Sequence, residues 1–355
     1  MTGSEKIGTH GSQVAVDTHA HLIPKSVITQ LIRMPRVFPS VEAHREGASS
    51  YRFRFGSDPP SPAPPAAMFD TDRRSEWIEA NGLTCQIVSP WTDLFGYSLP
   101  ATEATDWCRF LNEAMLEATR GRADLVSMAA IPLQDTRAAV AEMQRVAEAG
   151  CCGVMIGTSA PGRELDDPIL SDVWACAADL EMPVFIHPIR PQGDTRSWTG
   201  VLANTVGRLR ESLLALARLL ISGVPLSHPG LRLILAHGGA GPEALLARLS
   251  RQHVIAGEGK TDPATAFRAL YFDSVVIEPE LVTRLVDMVG PDHVLLGSDY
   301  PFPWEPSPRT TVERAGLSPA VEAAVLGETA RGLFRLPAAD LAKSRRLSTS
   351  VGGEI

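Results

Sequence analysis

Val16-Asp17-Thr18-His19-Ala20-His21 places two histidines two residues apart at the end of an apolar run. In an extended strand, residues i and i+2 project from the same face, so both imidazoles of this stretch would point the same way. Three further apolar runs end similarly, in Ile186-His187-Pro188, in Ala236-His237-Gly238-Gly239 and in Gly297-Ser298-Asp299-Tyr300-Pro301. Each is followed by a Gly or Pro that stops the run.

These runs belong to a longer rhythm. Short β-branched segments at residues 14–22, 85–90, 125–132, 153–158, 183–188, 231–237, 269–274 and 294–300 alternate with stretches of helical period at 101–120, 136–150, 168–181, 205–222, 242–253 and 279–289. Alternating strands and helices predict an α/β protein with a parallel sheet, and eight strands in that alternation predict a (β/α)₈ barrel. Barrel active sites gather at the C-terminal strand ends, so His19, His21, His187, His237 and Asp299 are expected on one rim. Leu209, Leu213, Leu216 and Leu220 recur at spacings of three and four and read as the core-facing stripe of a barrel helix.

Three imidazoles and one carboxylate form a donor set suited to zinc, with manganese or iron also compatible. His19, His21, His187 and Asp299 are therefore the expected metal ligands. A zinc ion brings the pKa of a bound water to about 7, and an adjacent imidazole exchanges protons near neutral pH, which makes His237 the expected acid/base. His10, His44, His228, His253 and His293 end no strand on that rim and read as structural or surface groups.

The remaining organisation follows from composition. The 355 residues are 44% hydrophobic and 21% charged with a formal net charge of −8, enough apolar surface for a large core and no basic patch for nucleic acid. Residues 1–13 are polar and read as a flexible start, 14–337 as the barrel, and 338–355 as a polar tail. Residues 25–68 interrupt the rhythm and read as a small insertion after the first strand, over the barrel mouth, with a short strand at Tyr51-Arg52-Phe53-Arg54-Phe55. Neither a signal peptide nor a run of about 18 apolar residues is present, so a cytoplasmic protein without a membrane span is expected. Five cysteines without ligand spacing read as buried free thiols of a reducing compartment.

Together these pieces resemble the amidohydrolase superfamily, in the branch of non-oxidative decarboxylases that includes 2-amino-3-carboxymuconate-6-semialdehyde decarboxylase. The resemblance rests on residues 17–21, Ile186-His187-Pro188, residues 221–239 and Gly297-Ser298-Asp299-Tyr300-Pro301-Phe302-Pro303. It implies a distorted barrel, a metal held by His19, His21, His187 and Asp299, and catalysis by His237 with Asp299. The fourth strand candidate has no lysine, so the bridging lysine of binuclear relatives has no counterpart and one metal is expected. The resemblance also implies a homodimer and arginines that hold a small-molecule carboxylate, with Arg74 and Arg248 the positional matches. After His187-Pro188 the chain reads Ile189-Arg190 where the type enzyme carries Trp-Asp, which makes Arg190 and Trp198 the expected replacement substrate contacts. The implied reaction is decarboxylation of an aromatic or muconate-type acid, with hydrolysis or hydration of a lactone, amide or unsaturated acid as the alternative for the same ligands.

Overall fold

The computed structural model describes residues 13–46, 50–160, 162–190, 196–257, 261–302, 304 and 307–336. The expected flexible start, apart from Gln13, and the expected tail lie outside the described residues.

Eight parallel strands are present: β1 (Val16–Leu22), β2 (Cys85–Pro90), β3 (Leu125–Ser127), β4 (Val154–Gly157), β5 (Val184–His187), β6 (Leu233–Leu235), β7 (Tyr271–Asp273) and β8 (Val294–Leu295). They form two ladders, β1-β2-β3 and β4-β5-β6-β7-β8. Single bridges at Ala129↔Val154 and Ala20↔Tyr300 join the ladders into a ring, so the barrel closes through irregular seams. Strand residues on both faces of the sheet are fully buried, Phe185 with its partners Met155 and Ile234 on one face and Ile156 and Leu235 on the other.

Several strands are shorter than their apolar runs. β3 stops at Ser127 rather than residue 132 because a buried side chain captures the next segment: Asn112 Oδ1 accepts from the Ala130 amide at 2.8 Å and Asn112 Nδ2 donates to the Ala130 carbonyl at 2.9 Å. Glu142 accepts from Asn112 at 2.8 Å and from Arg145, which neutralises an otherwise costly buried carboxylate. After β8 the chain passes close to β1, since a Cβ at Gly297 would lie 3.0 Å from the His19 Cβ, and by Asp299 the backbone has turned to φ +57°.

The insertion is built around a second core. A helix, Lys25–Arg33, leads to an antiparallel hairpin of Val41–Glu46 and Ser50–Phe55. Val27, Phe38, Phe53 and Met68 pack there with Trp91 and Trp107. Helix Thr71–Ala80 then begins at Asp70, whose side chain caps the Asp72 and Arg73 amides.

The leucine stripe faces the core at Leu216 and Leu220, which are fully buried with Ser212, Ala215 and Leu219 beside them, while Leu213 is half-buried and Leu209 is 39% exposed. A π-turn, Ala203–Gly207, precedes the helix Arg208–Ser222.

Candidate metal centre

The ligand atoms offered by His19, His21, His187 and Asp299 all lie within 4.8 Å of one another, in buried residues from three different strand ends. β1 supplies two through a local irregularity: Asp17 pairs with Gln86 and Ala20 with Val88, so β1 carries one extra residue between them. Such a bulge re-aims side chains beside functional sites.

Each imidazole is oriented by its Nδ1. His19 Nδ1 meets Asp273 Oδ2 at 2.6 Å, His21 Nδ1 meets Ser89 Oγ at 3.2 Å, and His187 Nδ1 meets the Pro188 carbonyl at 2.9 Å. All three Nε2 atoms are thereby turned to the common centre, the arrangement metal-binding histidines use. His19 Nε2, His187 Nε2 and Asp299 Oδ1 are buried without a hydrogen bond, which is costly unless a cation completes them. The donors therefore fit a divalent ion.

Electrostatics agree at two of the three imidazoles; at His19 burial is outweighed by Asp299 and Asp273, which raise it. Burial, with neighbouring charges of the same sign, holds His187 well below its usual range, and burial takes His21 down to about 4; both are neutral and ready to ligate. Burial opposes ionisation of Asp299, yet His19, His21 and His237 keep its carboxyl well below the usual range. Asp299 Oδ2 accepts from Trp304 Nε1 at 2.7 Å and lies 3.7 Å from His237 Nε2.

Two supporting acids lie beneath the ligands. Asp273, at the end of β7, accepts from the Gly238 and Val275 amides as well as meeting His19. Asp17 ties β1 to the end of β8, accepting from the Ser298 amide at 3.0 Å and from Gln86 Nε2 at 2.6 Å. Burial pushes the Asp17 carboxyl up to about 6 despite these bonds.

A family model of the amidohydrolases matches residues 16–336. The chain belongs to the amidohydrolase family. Its relatives include the 2-amino-3-carboxymuconate-6-semialdehyde decarboxylase of Dictyostelium discoideum, 28% identical over 66% of this chain and 67% of that one. Among solved structures, 5-carboxyvanillate decarboxylase from Sphingomonas paucimobilis aligns with a TM-score of 0.77 at 21% identity, over 92% of this chain and all of that one. A dihydroxybenzoic acid decarboxylase from a Polaromonas species, crystallised with manganese and 2-nitroresorcinol, aligns at 0.73 with 20% identity over 93% and 99% of the two chains. These likenesses fix the barrel of this amidohydrolase.

The other expected residues separate. His237 stands beside Asp299 at φ +55°, inside a turn rather than on the strand. The glycines after it serve that turn and the core, not a ligand: Gly238 and Gly239 have φ of +57° and +69°, and Cβ atoms there would meet Val276 at 2.4 Å and Phe272 at 2.8 Å. Arg74 is fully buried beneath the rim, where it donates to Gln86 Oε1 and the His21 carbonyl, each at 2.6 Å, and stacks 4.4 Å from the Tyr300 ring centroid. Both of its terminal nitrogens are thus bonded to the scaffold, while Nε is buried without a hydrogen bond. Arg190 is exposed, and Arg248 is exposed on the helix Glu243–Ala256. Trp198 stacks on Arg208.

A cavity of about 10 Å³, on the scale of one water, is lined by His21, His187, Asp299, Asn204, Arg208 and Trp304, among others. Phe302 and Trp304 also border a second cavity of about 240 Å³ that reaches Arg73, Trp77 and Tyr300. Asp273, Asp17, Arg208 and Trp304 were not singled out from the sequence. Asp273 carried a signal, since it ends a strand on the same rim as Asp299.

Proposed function

We propose that this amidohydrolase is a metal-dependent carboxy-lyase that decarboxylates a small aromatic or muconate-type carboxylic acid without an oxidant. The observation that carries the reading is the buried three-histidine, one-carboxylate centre with His237 Nε2 set 3.7 Å from Asp299 Oδ2. The activities of the named relatives support it.

When bound, the divalent ion supplies Lewis acidity that orients the acid and draws charge from its ring or alkene. His237 delivers a proton to the carbon bearing the carboxylate, with Asp299 stabilising the protonated imidazole. That carbon gains a C–H bond, the electron pair of the broken C–C bond restores the π system, and carbon dioxide leaves. Trp304 donates to Asp299 Oδ2 and so holds that oxygen toward His237.

The donor set favours zinc, and the manganese of the Polaromonas relative makes manganese the second candidate. A cytoplasmic homodimer is the state this reading favours. The described cysteines are all free, and the helix Glu243–Ala256 buries no side chain fully while exposing Val254 (68%) and Ile255 (62%) beside Arg248. No described helix is long and apolar enough to cross a membrane.

The test is carbon dioxide release by metal-analysed enzyme from hydroxybenzoates and aminocarboxymuconates, with lactones alongside. Release from a carboxylated substrate supports the proposal. Lactone turnover with no carbon dioxide from any acid overturns it in favour of hydrolysis.

A further inference from the structure

Arg208 is a cation at the edge of the metal centre with no ionic partner among the described residues. Its Nη1 donates to the Pro188 carbonyl and its Nε to Asn204 Oδ1, each at 2.9 Å, and both acceptors are neutral. Among the described residues no carboxylate forms an ion pair with it. The side chain is nonetheless held in place. Trp198 lies over the guanidinium, 5.5 Å from ring centroid to Cζ, and Trp198 is itself seated on Gly207, where a Cβ would come within 2.6 Å of the indole.

This fixed guanidinium lines the same small cavity as His21, His187 and Asp299. A second polar group nearby is also incomplete. Asp93 Oδ2 is buried without a hydrogen bond, and burial raises its carboxyl although Arg208 and Arg190 act the other way. A half-buried guanidinium beside a cation-binding centre raises the local positive potential, and the economical way to balance it is an anion that arrives with the substrate. Of the two positions expected from resemblance, Arg74 donates to Gln86 and the His21 carbonyl beneath the rim and Arg248 lies exposed on the helix Glu243–Ala256, so neither lines this cavity.

We propose that Arg208, steadied by Asn204 and Trp198, is the residue of this chain that binds the carboxylate of its aromatic or muconate-type acid. The inference rests on the decarboxylase reading for the substrate class, but its anion site stands or falls separately.

The experiment measures binding by calorimetry to manganese-loaded enzyme, with 2,6-dihydroxybenzoate as the carboxylate probe and resorcinol as the same ring without the carboxylate. The unmodified enzyme is expected to prefer the acid. Arg208→Gln is expected to lose about 10- to 100-fold in affinity for the acid, the scale of a charge-assisted hydrogen bond, while resorcinol binding and metal content stay within about twofold. Arg208→Lys, which keeps charge but not the fork, is expected to fall between them. No preference for the acid in the unmodified enzyme, an undiminished preference in Arg208→Gln, or equal weakening of both probes overturns the proposal. Carbon dioxide release is scored in parallel: its absence with the preference intact removes the decarboxylase reading and leaves the anion site.

Discussion

Asp273 Oδ2 lies 2.6 Å from His19 Nδ1, and both side chains are fully buried. The carboxylate therefore fixes which nitrogen of His19 faces the metal centre, and it does so from a strand that supplies no ligand of its own. Its other oxygen accepts from the Gly238 amide at 3.0 Å, so one acid couples the first ligand to the turn that carries His237. Asp273→Asn is expected to weaken metal affinity about 10- to 100-fold, the usual cost of losing such a partner. Chelator competition measures this, and unchanged affinity would show that His19 is oriented by packing alone.

His237 and His187 are expected to separate binding from chemistry. His187→Ala removes a buried ligand atom and is expected to lose both metal and turnover. His237→Ala leaves the four ligands intact and is expected to keep the metal while turnover falls by about 10²- to 10⁴-fold, the range of general acid–base catalysis. Metal content and kcat on the same preparations decide it. Near-full turnover in His237→Ala would assign the proton transfer to another group.

Trp304 combines two roles that substitution can divide. Its Nε1 donates to Asp299 Oδ2 at 2.7 Å, and its ring stands with Phe302 between the cavities of about 10 and 240 Å³. Trp304→Phe keeps a ring but loses the donor, and is expected to lower kcat about 10-fold with metal retained. Trp304→Ala also opens the wall and is expected to accept bulkier acids, read as a lower KM for substituted rings than for unsubstituted ones. Identical profiles for the two variants would mean that the wall does not limit substrate size.

The barrel and its metal ligands were legible because both depend on local pattern. Eight apolar runs announce eight strands, and His19, His21, His187 and Asp299 each stand where such a run ends. What escaped depends on contacts between distant segments. The end of β3 is set by Asn112, eighteen positions before Ala130, and the bulge before Ala20 by pairing with β2. Arg208 lay inside a segment read as a leucine stripe, and only the π-turn before it and the stacking of Trp198 bring it to the centre. Arg74 matched by position but is claimed by Gln86, which no spacing rule foretells.

Gly238 shows a similar limit, since in the sequence it marked the end of an apolar run, whereas its φ of +57° and the 2.4 Å approach of Val276 make it a packing requirement. Gly238→Ala is expected to destabilise the fold by roughly 2–4 kcal/mol, combining left-handed strain with overpacking. Thermal unfolding should report a fall of roughly 3–5 °C, given an unfolding entropy of about 2.1 cal/mol/K per residue in a chain of 355 residues. An unshifted midpoint would mean that the turn relaxes at little cost.

The cysteines provide a test of the core that is independent of the metal. Burial pushes the Cys85 and Cys151 thiols up to about 12, and Cys108 well above the usual range. The thiolate is the nucleophile, so a raised pKa lowers reactivity: at pH 8 only about one thiol in 10⁴ with a pKa of 12 is ionised, against roughly a quarter at the ordinary 8.5. Native protein treated with iodoacetamide at pH 8 is therefore expected to label Cys85, Cys108 and Cys151 orders of magnitude more slowly than the same protein in urea, as read by peptide mass spectrometry. Cys85 lies on β2 beside Val16 of β1, so rapid native labelling there would mean that the first ladder opens readily, and with it the strand that carries His19 and His21.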